Sequence, residues 1–189
     1  MLKLPVVSVL GDIYYRAMPQ KLFVIYGPIG VGKSSVCAEL AAQLQDPASI
    51  VEPDAIKRMI DPNQSSCWRR ETANSTAAFL VRQLLAQGRT TIVEAHAKYP
   101  DSVQSYTQIA TELDMPHISV LLTATYATCL QRASTRQVPG IAYNIDSTMI
   151  ADYFCVQPAT PGDIVLDTTN VQPQQTVAKI LLLACLQPV

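Results

Sequence analysis

The residues best suited to chemistry stand together near the start of the chain, in Gly27-Pro28-Ile29-Gly30-Val31-Gly32-Lys33-Ser34. Three glycines let a backbone turn tightly and bring its N–H groups close to an anion, with no Cβ in the way. A lysine and a hydroxyl follow at the G-x-x-x-x-G-K-[ST] spacing that cradles a nucleoside triphosphate: Lys33 to reach the β- and γ-phosphates, Ser34 to ligate Mg²⁺. Pro28, Val31 and Ser35 complete the lining of such a loop.

The flanking elements agree with that chemistry. Leu22-Phe23-Val24-Ile25-Tyr26 reads as a buried strand, and Val36, Cys37, Leu40, Ala41 and Leu44 recur at helical spacing after the loop. The glycines then open onto a helix N-terminus, where unpaired N–H groups and roughly half a positive charge favour a phosphate.

Farther along, Asp46-Pro47 breaks that helix near Gln45, and Ser49 to Glu52 reads as a second strand closed by Pro53. Asp54 stands where this strand hands over to a helix carrying Ile56, Met59 and Ile60. A long helix is expected from about Trp68 to Gln87 with Gly88 as its C-cap. Thr90 to Ala95, His117 to Leu122 and Asp163 to Asp167 read as further strands. Helices are expected over about Tyr99 to Leu113, Ala127 to Arg136, Asp146 or Ser147 to Tyr153, and Val171 to Leu186. Strands alternating with helices predict an α/β, three-layer fold: a five-stranded parallel sheet with helices on both faces. Ligands of such a sheet gather at the C-terminal strand ends, where Glu52, Asp54, Glu94, His96 and Asp167 all fall.

Length and composition bound the reading. The 189 residues suit one domain with its own core, and 14 Lys+Arg against 15 Asp+Glu, without a run of one sign, do not favour an extended nucleic-acid footprint. Cys37, Cys67, Cys129, Cys155 and Cys185 are widely spaced with no C-x-x-C pair, as in reduced cytoplasmic thiols. His96 and His117 lie too far apart in sequence to suggest a zinc cluster. The apolar stretch Leu4 to Leu10 is too short to span a bilayer, so no membrane segment is expected. Residues 1–17 read as an N-terminal extension and 18–189 as the domain, expected to be a cytoplasmic monomer.

With these segments in order, the chain resembles the small P-loop kinases and related AAA-type ATP-binding proteins. That group includes shikimate, gluconate and nucleoside monophosphate kinases, chloramphenicol phosphotransferase, zeta toxins and the kinase domain of polynucleotide kinase. The resemblance rests on the P-loop, on Glu52-Pro53-Asp54 with Arg58, on Leu130-Gln131-Arg132 with Arg136, and on Asp163 to Asn170. It implies ATP and Mg²⁺ as cofactors and a hydroxyl acceptor. Asp54 would hold the acceptor hydroxyl and help take its proton. From their places in the sequence, Arg58, one turn after Asp54, is expected to meet an anionic substrate, and His96, which follows Glu94 into the mouth of the crevice, to read the acceptor. Glu94 takes the Walker-B-like place, holding Mg²⁺ through water. Arg132 would lie against the adenine, and Thr168, Thr169 and Asn170 would line it. Arg136 would fold over the phosphates with Lys33 to stabilise the transferring group.

Other nucleotide-binding classes fit less well. A GTPase calls for an Asn/Thr-Lys-x-Asp guanine motif after the fourth strand, where Leu122-Thr123-Ala124-Thr125 stands instead. A ring-forming remodelling ATPase calls for a pair of acids at the Walker B place, but Glu94 is followed by Ala95. A nucleotide-binding regulator without an acceptor stays open, because Glu52 and Glu94 replace the aspartates usual in the kinases. The acceptor itself is not written in the sequence.

Overall fold

The computed structural model describes residues 21–44, 46–61, 69–98, 100–135 and 162–186, together with 150, 151, 154, 159 and 160. Five strands form one sheet: β1 (Leu22–Gly27), β2 (Ser49–Val51), β3 (Thr91–His96), β4 (His117–Thr123) and β5 (Ile164–Asp167). Their order is β2-β3-β1-β4-β5, and every pairing is parallel. The helices between them are α1 (Lys33–Gln43), α2 (Pro53–Ile60), α3 (Arg69–Ala86), α4 (Pro100–Glu112), α5 (Tyr126–Thr135) and α6 (Pro173–Leu186).

The strand residues alternate between two cores, as the period of a strand requires. From β1, Leu22, Val24 and Tyr26 join one core with Val51, Val93, Ala77, Val81 and Tyr106, so α2, α3 and α4 cover that face. Phe23 and Ile25 join the other with Val36, Leu40, Cys129, Val177 and Ile180, so α1, α5 and α6 cover the opposite face. Leu22 to Ile25 are fully buried, the near-continuous apolar run expected of the central strand in a sheet covered on both sides.

Expected and observed elements differ mainly at their ends. The first helix stops at Gln43, with Leu44 already extended. α2 opens with Pro53 at a position that has no backbone N–H to lose, and Asp54 in its first turn suits the positive end of the helix. Gly88 does cap α3: its N–H and that of Arg89 donate to the Leu85 and Leu84 carbonyls. Ile150, Ala151 and Phe154 are helical, within the segment read as a helix before β5. Residues 1–17, Cys67, Arg136 and Cys155 lie outside the described residues. No helix among the described residues is long and apolar enough to cross a membrane.

Candidate active site

The glycine loop leaves β1 at the centre of the sheet. Gly30 has φ +79°, and an added Cβ there would stand 2.2 Å from the Cys129 carbonyl oxygen, so the loop lies directly on the backbone of α5. Gly32 caps α1 in the left-handed region at φ 103°. Between them the loop carbonyls receive a charge: Lys33 Nζ donates to the oxygens of Gly27 and Pro28 at 3.2 and 3.0 Å. Lys33 is 6% exposed.

A cleft of about 530 Å³ runs along the loop, the size range of small-molecule sites. Gly30, Val31, Gly32, Lys33, Ser34 and Ser35 line it, with Glu94 and Arg132 from the predicted set. Ser34 Oγ donates to Glu94 Oε1 at 3.0 Å, which brings together a hydroxyl and a carboxylate that are 60 residues apart. Both are hard oxygen donors of the kind Mg²⁺ takes beside nucleotide phosphates. No cluster of three or more His, Cys, Asp or Glu able to hold a metal occurs among the described residues.

Arg132 is fixed rather than splayed into the cleft. Its guanidinium donates to the carbonyls of Thr168 and Thr169 at 2.8 and 3.2 Å and to that of Val31 at 3.3 Å. The Thr168 hydroxyl, with one proton to donate, lies between two carbonyl oxygens, 2.7 Å from Val31 O and 3.1 Å from Thr123 O. The glycine loop, the end of β4 and the segment after β5 are thereby tied into one unit. Of the three residues expected beside the adenine, Thr168 lines the cleft, whereas Thr169 and Asn170 stand outside a lining completed on this side by Val171, Gln172 and Thr176. Thr169 is held by Asp167, whose carboxyl lies below its usual range because the Thr169 hydroxyl and N–H bond to it.

The second half of the site forms where β2 lies beside β3. Val51 pairs with Val93, so the chain leaving β2 arrives next to the tip of β3. Asp54 Oδ2 meets His96 Nε2 at 2.7 Å, and Asp54 Oδ1 accepts from Lys57 Nζ at 2.6 Å. Burial pushes the Asp54 carboxyl up, but the hydrogen bond and charge of His96 and those of Lys57 outweigh it and hold it well below the usual carboxylate range. Arg58 donates to Glu52 at 3.2 Å, so the arginine expected to meet substrate neutralises a neighbouring acid. Glu94 lines the nucleotide-sized cleft and also a small pocket bounded by Lys57, His96, Asn74, Ser102 and Tyr106.

Several of these partners escape a reading of the sequence. Lys57 carries a usable signal, since it follows Asp54 by three residues on one helical face. Asn74, Ser102 and Tyr106 carry none: they sit in ordinary amphipathic helices, and only the packing of α3 against α4 turns them toward β3.

Comparison with known proteins agrees with this geometry. A family model described as AAA domain matches residues 22–155. The APS kinase of Mycobacterium tuberculosis, solved with AMPPNP and APS, superposes with a TM-score of 0.68 at 15% identity, over 87% of this chain and 98% of that one. A gluconokinase from Sinorhizobium meliloti gives 0.62 at 16% identity, over 89% and 93%. Shikimate kinase from Acinetobacter baumannii, solved with shikimate, gives 0.60 at 18% identity, over 89% and 96%. No curated protein matches the sequence. At these identities the likeness to the solved kinases is one of fold, whereas the family match spans most of the sequence. The chain belongs to the AAA domain family, with the fold of the small P-loop kinases.

Proposed function

We propose that the protein is an ATP-dependent phosphotransferase, moving the γ-phosphoryl group of Mg·ATP to a hydroxyl of a small molecule or nucleotide end. The observation that carries this is the place of Glu94, which lines both the cleft along the glycine loop and the pocket beside Asp54. A triphosphate laid along the loop would present its terminal phosphate to whatever Asp54 holds.

Phosphoryl transfer asks a protein mainly for position and for charge to meet charge, because its transition state is loose. The loop N–H groups and the start of α1 suit the phosphates, with Lys33 stationed among them. Asp54, held ionised by His96 and Lys57, has lone pairs left to accept one more hydrogen bond and so to orient an acceptor hydroxyl in line. A carboxylate of depressed pKa is a weak base, so Asp54 fits a reaction in which the proton leaves late. Ser34, with Glu94 acting through water, would hold Mg²⁺, which supplies neutralisation of charge on the transferring oxygens. Arg132 positions the loop and the segment after β5, while Arg136, outside the described residues, keeps its proposed place over the phosphates. Thr169 and Asn170 keep theirs beside the adenine. The working unit in this reading is a cytoplasmic monomer built on residues 18–189.

The test is a mass-spectrometric screen of Mg·ATP with pooled hydroxyl metabolites, nucleosides and 5′-hydroxyl oligonucleotides, run beside Lys33→Ala. One added phosphoryl group with the native protein, absent with Lys33→Ala, is the expected result. ATP bound in calorimetry with no product from any pool would instead mark a nucleotide-binding regulator.

A further inference from the structure

Tyr106 lies on α4 with 0% exposure, and its hydroxyl has no hydrogen-bond partner among the described residues. An interior hydroxyl left this way is costly, on the order of 1–3 kcal/mol, and calls for an explanation. Its surroundings supply one. Tyr106 lines the small pocket shared with Lys57, Asn74, Glu94, His96 and Ser102; Lys57 and His96 of that lining hold Asp54, and Glu94 is bonded by Ser34 of the glycine loop. Asn74 Nδ2 donates to Ser102 Oγ at 3.2 Å, so two more neutral polar groups lie in the same floor. The pocket has about 10 Å³ of space, close to what one water or one hydroxyl group requires. Burial pushes the Tyr106 phenol up to about 12, so it stays an O–H group at every working pH.

The charges around this pocket disfavour an anion. Glu94 and Asp54 bring two carboxylates, and the two basic side chains of the lining, Lys57 and His96, both already hold Asp54, at 2.6 and 2.7 Å. Arg58, one turn beyond, holds Glu52. What the pocket offers a ligand is neutral hydrogen bonding from a phenol, an amide and a hydroxyl, sized for a single group.

Resting on the phosphotransferase reading above, we infer that the acceptor is a neutral polyhydroxy compound. One of its hydroxyls lies on Asp54, and a second enters the pocket to pair with Tyr106 Oη over the Asn74–Ser102 floor. Tyr106 is thus a specificity residue that distinguishes a polyol from a molecule with one hydroxyl, and the acidic wall distinguishes it from a carboxylated or phosphorylated analogue.

The test pairs turnover with binding. Native protein and Tyr106→Phe are assayed with Mg·ATP on myo-inositol, ribose and adenosine, and on the charged counterparts gluconate, ribose phosphate and adenosine monophosphate. Both are also titrated with the same compounds by calorimetry in the presence of Mg·AMPPNP. The expected result is a preference for a neutral polyol, with Tyr106→Phe raising the KM for that acceptor about three- to tenfold, while kcat and the KM for ATP stay near the native values. Ser102→Ala should move the acceptor KM in the same direction. An unchanged acceptor KM in Tyr106→Phe would show that the pocket merely houses a structural water and would overturn the inference, as would a preferred acceptor that is anionic. If nothing is phosphorylated, the kinase reading fails on its own. Calorimetry then decides the rest: polyol binding that Tyr106→Phe weakens upholds the pocket's role, and no polyol binding by the native protein refutes it.

Discussion

Replacing Gly30 by Ala should damage the protein more than replacing Gly32 by Ala, although both glycines have positive φ and stand two residues apart. At Gly32 an added Cβ meets nothing within 4 Å, so the cost is conformational alone, about 1–2 kcal/mol for holding an L residue in the left-handed region. At Gly30 the same conformational cost applies at φ +79°, and the new methyl would stand 2.2 Å from the Cys129 oxygen and 2.9 Å from two more backbone atoms of that residue. Because a Cβ does not approach closer than 3.0 Å, the loop or α5 must move by at least about 0.8 Å, and neither is a flexible side-chain end. Overpacking of this kind adds about 1–3 kcal/mol, for a total of about 2–5. For a chain of this size that corresponds to a Tm lower by roughly 4 to 20 °C in Gly30→Ala, against roughly 2 to 8 °C in Gly32→Ala. Thermal unfolding followed by circular dichroism measures both, and ATP titration shows whether the loop can still receive a triphosphate. A Gly30→Ala protein that melts no lower than Gly32→Ala would refute the claim that the loop is seated on the α5 backbone.

Four further outcomes are expected. Asp54→Asn should lower turnover by about 10²- to 10⁴-fold with ATP affinity changed little, as measured by steady-state kinetics beside calorimetry. Because the Asp54 carboxyl is depressed in the folded protein, its stabilising contribution is present above the ordinary pKa of 3.8 and is lost as pH falls; denaturant unfolding of native and Asp54→Asn proteins should therefore converge in acid and separate toward neutrality. Ser34→Ala, which removes one of the paired oxygens at 3.0 Å, should raise the Mg²⁺ concentration needed for half-maximal rate, and an unchanged Mg²⁺ dependence would contradict the role given to the Ser34–Glu94 pair. Cys37 and Cys129 are buried, and burial pushes both thiols up, so iodoacetamide should label them only after unfolding, as read by peptide mass spectrometry.

The glycine-loop half of the candidate site was legible in the sequence because its parts are consecutive. The glycines, Lys33 and Ser34 need only the strand before them and the helix after them, both written in local periodicity. The other half depends on which strands become neighbours. Asp54 and His96 are 42 residues apart and meet because β2 pairs with β3 rather than with β1, a choice that alternating strands and helices leave open. Placing both at strand ends was possible from the sequence; placing one against the other was not. Arg132 illustrates a different limit. Its position on a helix near the glycine loop was readable, but its partners are backbone carbonyls of Val31, Thr168 and Thr169, which have no side-chain signature. Tyr106 is harder still, since a buried aromatic in a helix looks like ordinary core until its hydroxyl is found without a partner and the residue is found to line a polar pocket.

The division of the interior into two cores bears on how such a protein changes over time. The helices that frame the Asp54 pocket pack on one face of the sheet, while α1, α5 and α6, which carry or brace the phosphate loop, pack on the other. Only the strands are common to both. A lineage descended from this chain can therefore rebuild α3 and α4, and with them the lining of the small pocket, while leaving the packing under the glycine loop untouched. Change on one face is insulated from the other by a single layer of β-structure, with Glu94 of β3 lining the cavities that belong to both.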